Sequence, residues 1–194
     1  VIACNTLTVL GVDTLKGSHA FEIVGMSKGA QLVLAASSRK KIGVFATEFT
    51  INSGAHKAAI LAADAGAYVY PQACPKFVPL IEGEQFDGAE VRAAVAEYAA
   101  PLKAAGIDTL ILSCTHYPFI QKEIESEFGS EVTVIDPADA TAQDTKTVLA
   151  AEGLLRSEGA GTLEVCFPAD VERGARIAGR VLPQGIWLFN EIQL

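Results

Sequence analysis

Two cysteines, Cys4 and Cys114, each close an apolar run and are followed within two residues by a threonine. The segments read Val1-Ile2-Ala3-Cys4-Asn5-Thr6 and Leu110-Ile111-Leu112-Ser113-Cys114-Thr115-His116-Tyr117-Pro118. Short apolar runs between helical patterns read as buried parallel strands. In open α/β sheets, ligands bind just beyond the carboxyl ends of the strands. Each segment therefore carries a thiol to a place where a small molecule would sit. Two thiols facing one bound carbon could take a proton from one side and return it from the other, inverting the centre without a cofactor. Removing a weakly acidic α-proton needs a base at the proton and donors where charge gathers. Backbone N–H groups at a strand-to-helix turn, where both cysteines are expected, favour the thiolate that such a base requires. Asn5, Thr6 and Thr115 follow the thiols and can donate to a carboxylate. His116, two residues from Cys114, could trade protons with it.

The elements that must hold these groups alternate strand and helix. Strands are expected at 1–4, 21–24, 42–46, 68–70, 108–113, 132–135 and 163–167, with 186–189 strand-like or a packed tail. Helices are expected at 6–15, 29–38, 53–65, 88–105, 117–128, 139–157 and 170–182, with Pro101 kinking or splitting the fourth. This rhythm implies a mostly parallel sheet covered on both faces. Composition shifts at 25–41 and at 136–137 are candidate domain crossings, and a double crossing would make the two chain ends share one domain.

Composition narrows the function classes. The 194 residues suffice for one large α/β domain or two small ones. Half are apolar and 20% charged, which argues against disorder. The formal charge of −8, with no basic stripe, argues against a nucleic-acid partner. No run approaches the roughly 18 apolar residues of a membrane span. The first residues lack a basic n-region, so no signal peptide is read. Without an initiating Met, and starting on an apolar strand, the chain reads as truncated at its N-terminus. The four cysteines form no CxxC pair, so neither a metal site nor a disulfide framework is expected, and reduced thiols imply a cytoplasmic protein.

Two further segments join the cysteine motifs. Ala73-Cys74-Pro75-Lys76-Phe77-Val78-Pro79-Leu80-Ile81-Glu82 and Ile42-Gly43-Val44-Phe45-Ala46-Thr47-Glu48-Phe49-Thr50 stand between them in the chain. Together the four resemble the glutamate racemases of the aspartate/glutamate racemase superfamily, over nearly the whole chain, with Ser113 and Ala46 where glycine is usual. The resemblance implies an α/β protein of two similar three-layer domains with mostly parallel sheets and a cleft between them. Residues 1–27 and 137–194 would form the first, discontinuous and lacking its N-terminal portion, and 28–136 the second. It implies cofactor-independent interconversion of L- and D-glutamate, with no metal, flavin or pyridoxal phosphate, supplying D-glutamate for peptidoglycan. Cys4 would act on D-glutamate and Cys114 on L-glutamate. His116 would assist Cys114. Asn5, Thr6, Thr47, Thr50 and Thr115 would hold the substrate, with Glu82 in a supporting role. A small-molecule substrate is the implied partner, without membrane or nucleic acid, and a homodimer stays open. The Asp-Ser-Gly and Pro-Tyr-Gly segments that precede the first cysteine motif in that family have no counterpart here. The 194-residue chain by itself is therefore expected to show no racemisation.

Plainer readings stand beside these. Cys74 reads as structural and Cys166 as core; His19 and His56 read as surface or loop residues. Glu82 could open a solvated loop, and Gly153 and Trp187 read as packing features within a helix and near the chain end. The competing functions are an aspartate or hydantoin racemase, a one-thiol decarboxylase of the same scaffold, a non-catalytic fragment, and a redox pair of Cys4 and Cys114.

Overall fold

The computed structural model describes residues 1–159, 161–180, 182 and 188–192. Contacts divide the chain into a unit of residues 1–154 and a unit of residues 155–194. The fold is α/β, and its strands pair in parallel.

The larger unit is built on four parallel strands, β1 (Lys41–Ala46), β2 (Tyr68–Ala73), β3 (Thr109–Ser113) and β4 (Thr133–Ile135), in the order β2-β1-β3-β4. The two central strands β1 and β3 are almost wholly buried, as their unbroken apolar sequences require. Side chains alternate between faces. Ile42, Val44, Ala46 and Ile111 pack with Val33 of α2 (Ala30–Ala36) and Ile60 of α4 (Ala55–Ala63). Phe45, Leu110, Leu112 and Cys114 pack on the other face against α5 (Phe77–Glu82), α6 (Ala89–Ala105) and α7 (Gln121–Phe128). Each fully buried Phe, Leu or Ile here contributes roughly 1.5–3 kcal/mol of burial. Gly43 lets α6 close onto the sheet: a Cβ there would lie 2.7 Å from Ile107 Cδ1 and 3.0 Å from Leu102 Cδ1.

Several boundaries differ from the sequence expectation, each for a physical reason. Residues 1–4 and 21–24 do not form strands. A single parallel bridge joins Ile2 to Gly25, with Ile2 N–H donating to Val24 C=O at 2.8 Å. One bridge with no further partner among the described residues is too little pairing to extend into a ladder. β2 runs through Pro71 rather than stopping there. β2 is an edge strand; Tyr68 and Cys74 turn their N–H groups toward β1, so Pro71, of opposite parity, directs its missing donor away from the sheet. α6 is neither split nor ended by Pro101, whose ring lies on the exposed face. α8 (Ala138–Ala151) stops before residue 157 because Gly153 takes a left-handed φ of 67°. Leu154 N–H then donates back to Leu149 C=O at 2.8 Å, closing the helix instead of lying inside it. Residues 117–128 divide into a 3₁₀ turn, Tyr117–Ile120, and α7.

The smaller unit pairs β5 (Glu164–Phe167) with β6 (Leu188–Glu191) in parallel, with α9 (Val171–Ala178) between them in sequence. Asp170 caps α9 by accepting from Arg173 N–H at 3.2 Å. Phe167 stacks on Phe189 with ring centroids 6.2 Å apart. Cys166 is exposed, not core, because period-two alternation turns it away from the face of Val165 and Phe167. The remainder of the expected 186–189 strand, including Trp187, lies outside the described residues.

Five buried side-chain atoms have no hydrogen-bond partner among the described residues: Asn5 Nδ2, both ring nitrogens of His56, Thr109 Oγ1 and Ser113 Oγ. His56, expected at the surface, is 4% exposed in the first turn of α4. Burial, then the nearby charge of Lys28, lowers its pKa from 6.5 to about 4. The folded state thus resists a proton that the unfolded chain accepts. Stability from this site is intact above pH 6.5 and falls as the pH drops toward 4, by up to about 3 kcal/mol. Urea unfolding at pH 7 and pH 4.5 should show that loss, and His56→Leu should flatten it; an equal loss in the variant would contradict the assignment. Ser113→Ala removes a buried hydroxyl without a partner and should raise stability by about 1 kcal/mol in the same assay. A lower stability would mean that the hydroxyl is satisfied.

Candidate active site

β1, β2 and β3 end in register: Ala46 lies opposite Ala73 on one side and Ser113 on the other. The next residue of each strand is therefore Thr47, Cys74 and Cys114, a row of polar side chains along the carboxyl edge of the sheet. The backbone continues the match for one step, since Cys74 N–H donates to Ala46 C=O at 3.0 Å.

The N-terminal segment comes to this row through α1 (Asn5–Ser18). Cys4 is the residue that caps α1, in extended conformation, and its carbonyl accepts the first helical hydrogen bond from Thr8 N–H at 2.9 Å. Thr6 Oγ1 lies 2.9 Å from Thr47 Oγ1 and 3.3 Å from Thr50 Oγ1. Thr47 Oγ1 and Thr50 Oγ1 are 3.0 Å apart. Thr47 also caps α3 (Glu48–Asn52), accepting from Thr50 N–H. Three hydroxyls thus form a triangle that fastens the start of α1 to the end of β1. Asn5, buried beside them at 4% exposure, keeps its amide Nδ2 without a partner.

Cys114 is 8% exposed. Burial raises its pKa above the ordinary thiol range. The backbone N–H groups of His116 and Tyr117 pull it down, while a charge on Cys4 pushes it up. The net direction is opposite to what turn N–H groups alone would give, because desolvation outweighs them.

His116 Nδ1 lies 3.9 Å from Cys114 Sγ, and its Nε2 lies 2.6 Å from Glu82 Oε1. An ionised Glu82 only accepts, so Nε2 carries the hydrogen and the Nδ1 lone pair faces the thiol. Glu82 is not in a loop but ends α5, which positions its carboxylate over His116. Thr115 is half-buried in the turn between Cys114 and His116. Cys74 is buried, its Sγ donating weakly to Gln72 C=O at 3.5 Å, and burial drives its pKa far up. It is a thiol held protonated beside the row, a place that its sequence context before Pro75 did not signal.

The open cavities lie elsewhere. One of about 810 Å³ is bounded by α1, the 22–32 segment and α8, and one of about 520 Å³ by α5 and α6. Neither is lined by Cys4 or Cys114. The row at the strand ends is the better candidate because it brings a thiol, an imidazole and several hydroxyls together, whereas these cavities are lined by carboxylates and lysines without a thiol or an imidazole. Among the described residues, no three His, Cys, Asp or Glu side chains converge to hold a metal ion, and no helix is long and apolar enough to cross a membrane.

Comparison with known proteins identifies the family. Residues 1–145 match the Asp/Glu/Hydantoin racemase family. A glutamate racemase of Lysinibacillus sphaericus (strain C3-41) is 41% identical over 156 residues, which cover 80% of this chain and 59% of that protein. The chain thus spans about three-fifths of the length of such curated relatives. The crystal structure of glutamate racemase isoform RacE1 from Bacillus anthracis superposes with a TM-score of 0.88 at 30% identity, over 98% of this chain and 71% of that one. That of the Thermus thermophilus glutamate racemase, in complex with β-chloro-D-alanine, gives 0.78 at 30% identity, over 98% and 70%. With a family match over most of its length and these structural relatives, the chain belongs to the Asp/Glu/Hydantoin racemase family.

Proposed function

We propose that the full-length protein interconverts L- and D-glutamate by a two-thiol proton transfer, with no cofactor. The observation that carries this reading is the threonine triangle, which brings the Cys4 turn to the same sheet edge as Cys114. The curated relatives named above are glutamate racemases, and the Thermus thermophilus one holds an amino acid, which supports the substrate class.

The chemistry follows from the groups present. With D-glutamate bound, the Cys4 thiolate takes the Cα proton and becomes a thiol. The electron pair left on Cα spreads into the carboxylate, whose growing charge needs donors fixed in advance. Asn5 Nδ2, the hydroxyls of Thr6, Thr47, Thr50 and Thr115, and the first N–H groups of α1 are suited to that task. The Cys114 thiol then delivers its proton to the opposite face, giving L-glutamate and a Cys114 thiolate. In the other direction Cys114 is the base, and His116 accepts its proton through Nδ1 while Glu82 steadies the imidazole. Two thiolates facing one carbon would repel each other, so the scheme works with one thiolate and one thiol at a time. The two domains of the full-length protein would close around the substrate, with 1–27 and 137–194 in one and 28–136 in the other. The D-glutamate would serve peptidoglycan synthesis in the cytoplasm.

In D₂O the full-length protein should place deuterium at Cα of either glutamate enantiomer, as read by proton NMR. Cys4→Ala and Cys114→Ala should each lower racemisation by roughly 10²- to 10⁴-fold or more; undiminished turnover in either would exclude the scheme. Glu82→Gln should slow the Cys114-initiated direction by no more than about fivefold, since a half-exposed pair is worth below about 1 kcal/mol. A loss as large as that of Cys114→Ala would mean that Glu82 itself moves the proton.

A further inference from the structure

We infer that Tyr117 is a positioning residue for Cys114, its hydroxyl bond to the Cys74 carbonyl holding the turn that carries Cys114 and His116; this rests on reading Cys114 as an acid/base. Tyr117 is 0% exposed, three residues after Cys114, and opens the 3₁₀ turn. Its hydroxyl donates to Cys74 C=O at 3.3 Å. Its N–H donates to Cys114 C=O at 3.1 Å. Its ring meets Phe77 edge-on, centroids 5.1 Å apart and planes at 89°.

The Cys74 carbonyl is a junction. It accepts from Tyr117 and also from Phe77 N–H at 3.2 Å, the first residue of α5. α5 ends in Glu82, which holds His116. One carbonyl therefore ties both supports of Cys114: the turn that supplies N–H groups and the helix that supplies the Glu82–His116 pair. A tyrosine pinned at both ends holds the turn in which His116 Nδ1 lies 3.9 Å from Cys114 Sγ, and a looser turn weakens the polar contacts that favour the charged thiolate. Burial keeps the tyrosine protonated, so it stays a donor throughout the working range. The ionisable groups facing Cys114 are Cys4 before α1, Cys74 after β2, and His116 and Tyr117 in its own turn, with Glu82 behind His116.

The experiment follows the ¹³Cβ shift of each cysteine against pH in full-length protein labelled at that carbon, with signals assigned by single Cys→Ser variants. It needs no turnover, so an absent racemase activity would count against the proposed function and not against this inference. In Tyr117→Phe the Cys114 midpoint should rise by about 0.5–1 pH, lowering its thiolate share at pH 7 roughly three- to tenfold. Tyr98→Phe is the control: its ring meets the other side of Phe77 at 5.2 Å and its hydroxyl accepts from Lys76 N–H, with no bond to the Cys114 turn. It should leave the Cys114 midpoint in place. An unmoved midpoint in folded Tyr117→Phe, or an equal rise in Tyr98→Phe, overturns the assignment. If Tyr117→Phe does not fold, 3-fluorotyrosine at position 117 keeps the hydroxyl and makes it a stronger donor; the midpoint should then fall, and no movement overturns the assignment.

Discussion

A triangle of threonine hydroxyls at the carboxyl end of β1 is the contact on which the candidate site depends. Thr6 comes from the start of α1, and Thr47 and Thr50 come from the turn after β1, more than forty residues away. Without that junction, Cys4 would belong to a segment joined to the 24–26 stretch by one β-bridge and by the Met26 N–H bond to Thr8 Oγ1, with no hydrogen bond to the sheet edge among the described residues. With it, the Cys4 turn is held against a sheet edge whose strands finish in register. Hydroxyls suit such a junction because each can donate and accept, so three can bond mutually and still turn toward a ligand.

Beneath the edge lies a dry aromatic cluster of Phe45, Phe77, Tyr98, Tyr117 and Phe128. It gives the thiols a rigid floor and sets their electrostatics. Burial alone would hold Cys114 protonated, and backbone N–H groups in its turn offset part of that cost. Cys74 receives less help and remains a thiol, its carbonyl serving as a hydrogen-bond junction. These two sulfurs thus differ in character because Cys74 is the more deeply buried and fewer backbone N–H groups offset its burial. Cys74 and Cys114 follow strands separated by β1, about 9–10 Å across the sheet at the usual spacing, too far for a disulfide.

Much of this was legible in the sequence where packing is dictated on both faces. The apolar runs of β1 and β3 could be nothing but central strands, and their ends carry Thr47 and Cys114. Periodicity likewise marked α6, with Val91, Val95, Tyr98 and Leu102 on its buried face. The expectation failed where one neighbour decides the outcome. Pro71 is tolerated only because β2 is an edge, which strand order reveals and local sequence does not. Gly153 ends a helix through its left-handed backbone, whereas reading it as a glycine packed inside the helix carries the pattern on to residue 157. His56 looked solvent-bound because its burial comes from the tertiary fold around α4. Glu82 beside Gly83 resembled a polar loop, yet the two apolar turns before it close α5 and direct its carboxylate to His116. The role of Tyr117 left no sequence signal, since its partner is a backbone carbonyl.

The central claim is that two sulfurs approach one substrate carbon from opposite sides. The most direct measurement is a crystal structure of the full-length protein with glutamate bound. The account predicts Cys4 Sγ and Cys114 Sγ each about 3.5 Å from Cα, on opposite faces, with the carboxylate among the hydroxyls of the threonine triangle. A bound glutamate reached by one sulfur only, or by both from the same face, would contradict it.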